Sequence, residues 1–116
     1  MKNRNKLYLT DIIESINKIE TYTKGIDYDS FCCNEMMFDA VIRNLEIIGE
    51  ASKKVSDEIK SKYPKVPWKQ MTGVRNILIH EYFGVDESII WEIVTRDLQE
   101  TKPSILKVIQ EEGNFT

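Results

Sequence analysis

Apolar residues recur at helical spacing along most of the chain, and strand-like alternation is scarce. Leu9, Ile12, Ile13, Ile16 and Ile19 share one face and predict a first helix ending near Gly25, a residue suited to a C-terminal cap. Asp29-Ser30 offers a start for a long second helix with the stripe Met37, Phe38, Val41, Leu45 and Ile48. Gly49 and Ala51 are small enough to let another helix close in, and the helical period continues to Lys60 before stopping ahead of Pro64. Tyr63-Pro64-Lys65-Val66-Pro67-Trp68 reads as a stiff connector, and Pro67 is placed to open a third helix as its first residue. That helix is expected to reach Phe83, with Gly84 just past its end. Asp86 caps a fourth helix, where Glu87 favours the dipole and Ile90, Trp91, Val94 and Leu98 form the buried stripe. Pro103 either kinks this helix or starts a short fifth one containing Ile105, Leu106 and Ile109. The sum is an all-α fold, an antiparallel up-and-down bundle of four to five helices.

The composition agrees with one domain over residues 1–116: 41% of residues are apolar and 30% charged. A chain of this length buries roughly two-thirds of its unfolded surface, enough for a core without metal or disulfides. No apolar run approaches the roughly 20 residues of a membrane span, and Met1-Lys2-Asn3-Arg4 leads into an amphipathic stretch without a cleavage site. Cys32 and Cys33 are adjacent and cannot close a useful loop, which favours a reducing, cytoplasmic setting. The net charge of −3 argues against binding nucleic acid by bulk charge. Its distribution is uneven. Ser52–Arg75 holds seven cations against two anions, whereas the chain from Glu81 onward holds three cations against eight anions. The basic stretch reads either as a solvated helix surface or as a flank to a phosphate-handling site.

His80 is the single histidine. With Cys32 and Cys33 adjacent, zinc-ligand spacing is poor, and no metal or cofactor is expected. There is no Walker-type glycine loop and no G-x-S-x-G elbow. Asp57-Glu58 and Glu111-Glu112 read as solvated surface. The third helix stands apart: Gly73-Val74-Arg75-Asn76-Ile77-Leu78-Ile79-His80-Glu81-Tyr82-Phe83. With Arg75 at zero on a helical wheel, Asn76 falls at about 100°, His80 at about 140° and Tyr82 at about −20°. Arg75, Asn76 and His80 thus share one polar side, while Ile77 and Leu78 point toward the core. An arginine can hold a phosphate by two parallel hydrogen bonds, and a histidine can move a proton near neutral pH. The same two residues also read as an ion-pair partner and a dipole-favoured cation at a helix end.

At these residues the chain resembles the HEPN superfamily, and within it the HepT-like toxins of prokaryotic toxin–antitoxin pairs. Arg75-Asn76-Ile77-Leu78-Ile79-His80-Glu81-Tyr82 matches the R-x-x-x-x-H-x-Y signature. Ala40–Ala51 is similar to the family's second-helix block, and Val66-Pro67-Trp68 with Met71–Asn76 is similar to its approach to the motif. Val85-Asp86 followed by Trp91 is similar to its next helix, so the likeness runs from Asp11 to Leu106.

The resemblance implies a homodimer with both motifs facing one interfacial cleft, and metal-independent cleavage of RNA. It implies the toxin role in a type VII-like pair with a nucleotidyltransferase (MNT-type) antitoxin, which silences the toxin by AMP transfer to the motif tyrosine, Tyr82. Arg75 and His80 are then the catalytic pair and Asn76 a supporting residue. Arg43, Asn44 and Glu50 on the preceding long helix either support the site or serve structure alone. Tyr82 itself reads three ways, as packing, as substrate contact or as AMP acceptor. The rival to the nuclease is a non-catalytic helical module that binds a nucleotidyltransferase or a nucleotide. Trp68 and Trp91 read as packing anchors, and Met36, Met37 and Phe38 as packing too.

Overall fold

A computed structural model describes residues 2–80 and 86–113; the side chains of residues 2, 3, 75, 77, 79 and 80 lie outside that description. The helices are α1 (Lys2–Thr23), α2 (Tyr28–Cys33), α3 (Glu35–Lys54), α4 (Asp57–Lys62), α5 (Trp68–His80), α6 (Glu87–Glu92) and α7 (Leu98–Glu111). A π-helical turn, Ile93–Asp97, joins α6 to α7 in one uninterrupted rod. Among the described residues there is no strand, and the fold is the expected all-α bundle.

Helix α3 is the central element, packed between α1 and α5, while α7 closes on α1. The stripe Leu9, Ile12, Ile16 and Ile19 of α1 has no solvent exposure at all. Its 3,4 spacing puts all four side chains on one face, and they share one buried core with Val41, Leu45 and Ile48 of α3. Each such side chain, fully withdrawn from water, favours folding by about 1.5–3 kcal/mol. Side-chain ties set the helix directions. Asn5 Nδ2 donates to Ser56 Oγ at 3.0 Å and Asn5 Oδ1 accepts from the Ser56 N–H at 3.0 Å, so α1 begins where α3 ends. Lys102 Nζ meets Glu20 Oε1 at 3.1 Å, bringing the start of α7 to the end of α1.

Several predicted boundaries shift. The first helix ends as expected, and Gly25 adopts φ +74°, the left-handed backbone that glycine accepts most readily. The second helix, expected from Asp29-Ser30 with its period continuing to Lys60, is three helices. Asp27 caps α2, accepting from the Ser30 N–H at 2.8 Å. Asn34 ends α2 and caps α3, accepting from the Met37 N–H at 2.9 Å. Val55-Ser56 then breaks the chain, and Ser56 Oγ accepts from the Ile59 N–H to start α4. In each case a short polar side chain captures an otherwise orphaned N–H. Pro67 stands one place earlier than expected, outside α5, with its carbonyl accepting from the Met71 N–H at 3.0 Å. Pro103 lies inside α7 and starts no new helix; the irregularity of that rod falls at the π turn instead. The predicted helix end at Phe83 and cap at Gly84 lie outside the described residues.

Candidate functional site

Helix α5 carries the motif, and its start is anchored on three sides. Trp68 is buried, and its Nε1 donates to the Tyr63 carbonyl at 3.0 Å. Tyr63 Oη donates to Glu112 Oε2 at 2.6 Å, and Lys62 Nζ meets the same oxygen at 2.6 Å. The end of α7 therefore holds the connector from which the motif helix starts. Burial and the bond to Glu112 push the Tyr63 hydroxyl up to about 12. Lys62 and Tyr63 hold the Glu112 carboxyl below its ordinary range.

Trp68, Met71 and Leu78 are buried and Val74 partly so, which fixes the inward stripe of α5. Leu78 thus faces the core, as expected, and Asn76 is exposed. Arg75 and His80 lie on the same helix, separated along its axis by about 7.5 Å and around it by about 140°. Their side chains, and Tyr82 entirely, lie outside the described residues.

The three supporting candidates on α3 divide. Asn44 is buried, with its Nδ2 donating to the Ala40 carbonyl at 2.9 Å. Arg43 and Glu50 line a groove on the α1 side of the helix together with Tyr8, Asp11 and Glu46. Glu50 also meets Lys54 at 3.8 Å. The structure brings Arg43 and Glu50 together with α1 residues.

On the opposite side of α3 a larger groove opens between α5 and the π turn with α7, with a volume of about 520 Å³. Leu45, Ile48, Met71, Val74, Ile93 and Leu98 give it an apolar lining. Lys65 and Gln70 border it from the α5 side, and Arg96, Asp97, Glu100 and Thr101 from the other. Sequence reasoning did not single out this second wall. No periodic signal marks it, because Ile90, Val94 and Leu98 recur every four residues, a spacing that a regular helix also keeps on one face. Arg96 is bound to Glu92 and, through Nε at 3.3 Å, to Asp97 Oδ1.

At the other end of the bundle Phe31 is fully buried and packs on Trp91 and Phe38, with ring centroids 5.0 Å and 5.5 Å apart. Trp91 is therefore a packing anchor, as is Trp68. A hydrogen bond to Glu87, together with burial, pushes the Cys32 thiol up, which makes it a poor nucleophile. Cys33 is a free, exposed thiol. Among the described residues, no group of three or more His, Cys, Asp or Glu could hold a metal ion. No helix among them is long and apolar enough to cross a membrane.

The family described as "Ribonuclease HepT-like" matches residues 12–108, a span that includes the whole of α5 and the motif. The chain belongs to the HepT-like ribonuclease family. The chain is 44% identical over 108 residues to the "Probable ribonuclease HepT" of Thermococcus cleftensis, covering 93% of this chain and 98% of that protein. A protein of Methanocaldococcus jannaschii provisionally named as an RNase is 50% identical over 100 residues, or 86% of this chain and 92% of that one. Another from the same organism is named as a gamma-glutamylcyclotransferase and, provisionally, an RNase. It is 46% identical over 111 residues, and this chain spans 50% of its length. No solved structure matches. The HepT-like match and the resemblance seen in the motif agree on the same stretch of chain.

Proposed function

We propose that the protein is a metal-independent endoribonuclease whose active site is completed by a second copy of the chain. The observation that carries this reading is the family match across α5, the helix on which Arg75 and His80 stand. RNA supplies its own nucleophile, the 2′-hydroxyl. Cleavage needs a base for that proton, an acid for the departing 5′-oxygen, and a cation for the pentavalent phosphorane. His80 takes the 2′-proton, and the 2′-oxygen attacks phosphorus. The bond to the 5′-oxygen breaks as that oxygen receives a proton, leaving a 2′,3′-cyclic phosphate and a 5′-hydroxyl. Arg75 stabilises the extra negative charge of the phosphorane.

One histidine per chain serves one of the two proton transfers, and a pairing of two chains supplies both. Asn76, exposed beside Arg75, orients the phosphate or the imidazole. Of the α3 candidates, Arg43 and Glu50 line the α1 side of that helix and Asn44 bonds to its own helix, which favours a structural role for all three. The basic stretch ahead of Arg75 guides the RNA backbone. As the toxin of a pair with a nucleotidyltransferase antitoxin, the enzyme is silenced by AMP on Tyr82. A phosphate there gives an arginine an anion to hold and blocks the cleft.

The test is RNA cleavage by wild type and His80→Ala, with intact mass recorded on both. Metal-free cleavage leaving 2′,3′-cyclic ends, reduced in the variant by about 10²–10⁴-fold, is the expected result. No cleavage of varied RNAs by an unmodified, dimeric wild type overturns the nuclease and leaves the partner-binding module. A mass higher by one or more AMP units calls for repeating the assay after their removal from Tyr82.

A further inference from the structure

We propose that the groove between α5 and the π turn is a base-binding subsite for RNA, selective for bases that carry an exocyclic amine. This rests on the ribonuclease reading and adds what the site recognises. The groove, about 520 Å³, falls within the roughly 300–1,000 Å³ of ligand sites. Its apolar lining can hold the face of a base. Val74 forms part of that lining and immediately precedes Arg75 on α5, so a base seated here has its phosphate beside the motif.

The edges decide the class of base. On the α5 side stands the amide of Gln70, and on the far side the carboxylates of Asp97 and Glu100. A glutamine amide pairs with adenine, and a carboxylate accepts from the amine of cytosine. Uracil has no amine to offer them. Lys65 at the rim gives a flanking phosphate its cation, while Arg96 is held by Glu92 and Asp97.

The wall bearing Arg96 and Asp97 is the π turn itself, and such turns recur at functional sites. In this turn the Leu98 N–H reaches back to the Ile93 carbonyl, five residues away. Thr95 and Thr101 hydroxyls donate to the Trp91 and Asp97 carbonyls at its two margins, each at 2.8 Å. The wide turn is thus held by side chains as well as backbone. Ile93, Arg96 and Asp97 of this turn line the groove.

The test uses non-cleavable 2′-O-methyl tetranucleotides of adenosine, cytidine and uridine, titrated into the isotope-labelled full chain and followed by amide chemical shifts. Shifts at Gln70, Ile93 and Thr101 with the adenosine and cytidine probes, and weaker ones with uridine, are expected. Gln70→Leu and Glu100→Gln, both at exposed positions, should each weaken binding of the preferred probe about tenfold. In cleavage they should raise KM at sites flanked by those bases and leave kcat nearly unchanged. Shifts that fall elsewhere overturn the subsite, and equal response to uridine overturns its selectivity. A change in oligomeric mass without a change in probe affinity assigns the groove to contact between chains and also overturns it. Because probe binding needs no cleavage, failure of the ribonuclease reading shows separately, as inactivity of a wild type that still binds.

Discussion

The two sides of α3 are built differently. Toward α1 the core is closed and regular, with four α1 side chains at 3,4 spacing wholly out of water, and the shallow groove beside it is lined mostly by polar side chains. Toward α5 the stripe of Trp68, Met71 and Leu78 is buried, but Val74 is only partly so, and the helix beyond stands off across an open groove. The closed side is explained by hydrophobic burial and one side-chain tie, Asn5 to Ser56. The open side keeps polar and charged groups over an apolar lining and spends a regular helical turn to do so. A scaffold needs the first kind of surface and a binding site the second.

Replacing one residue on each side sets the contrast as a number. Ile16→Ala removes a fully buried side chain from the closed interface and should destabilise the protein by about 2–5 kcal/mol. Val74→Ala, beside the groove, should cost about 1 kcal/mol or less, because the site is already open to water on one side. Urea denaturation of both variants measures the difference. Equal losses would mean that the α5 side is packed as tightly as the α1 side, and the comparison would fail.

The next effect concerns the tie that sets the direction of α1. Asn5 exchanges two hydrogen bonds with Ser56, each 3.0 Å long, and Ser56 in turn caps α4. Asn5→Ala should cost about 1–2 kcal/mol. It should also speed amide exchange in α4 while leaving α5 unchanged, which tests whether the tie serves the closed side alone. Uniform faster exchange through α5 would show that the two sides are coupled through the end of α3.

The closed side was legible in the sequence because its cause is periodic. Leu9, Ile12, Ile16 and Ile19 announce both the helix and its buried face. The motif on α5 was legible as a pattern of residue types. Three helix starts were missed. Asn34 and Ser56 each lie within a stretch where the apolar period continues, so the period overrode the capping signal, and at α2 the cap is Asp27, two residues ahead of the Asp29-Ser30 read as the start. Each is a short polar residue of the type favoured at helix starts, and each captures an N–H within three residues. Pro103 misled in the opposite direction. A proline inside α7 costs one hydrogen bond, which the surrounding burial of Thr101, Ile105 and Val108 outweighs. The groove was hidden because it joins α5 to residues some 20 positions away, and no motif spans that distance.

The smallest expected effect tests how the open side is held. Glu112 receives Lys62 and Tyr63 at the end of α7, and Tyr63 carries Trp68 at the start of α5. Because the folded state favours the ionised Glu112, its contribution to stability is present above the ordinary carboxyl value of 4.5 and is lost as pH falls through the lower folded value. Glu112→Gln should therefore lower Tm slightly at neutral pH, and the gap to wild type should close in acid. Tyr63, held at about 12 first by burial and then by Glu112, should ionise earlier in the variant, as read by phenolate absorbance. The shift should be partial, since burial remains. A Tyr63 titration unmoved by Glu112→Gln would mean that burial alone sets it, and that the end of α7 does not position the motif helix through this bond.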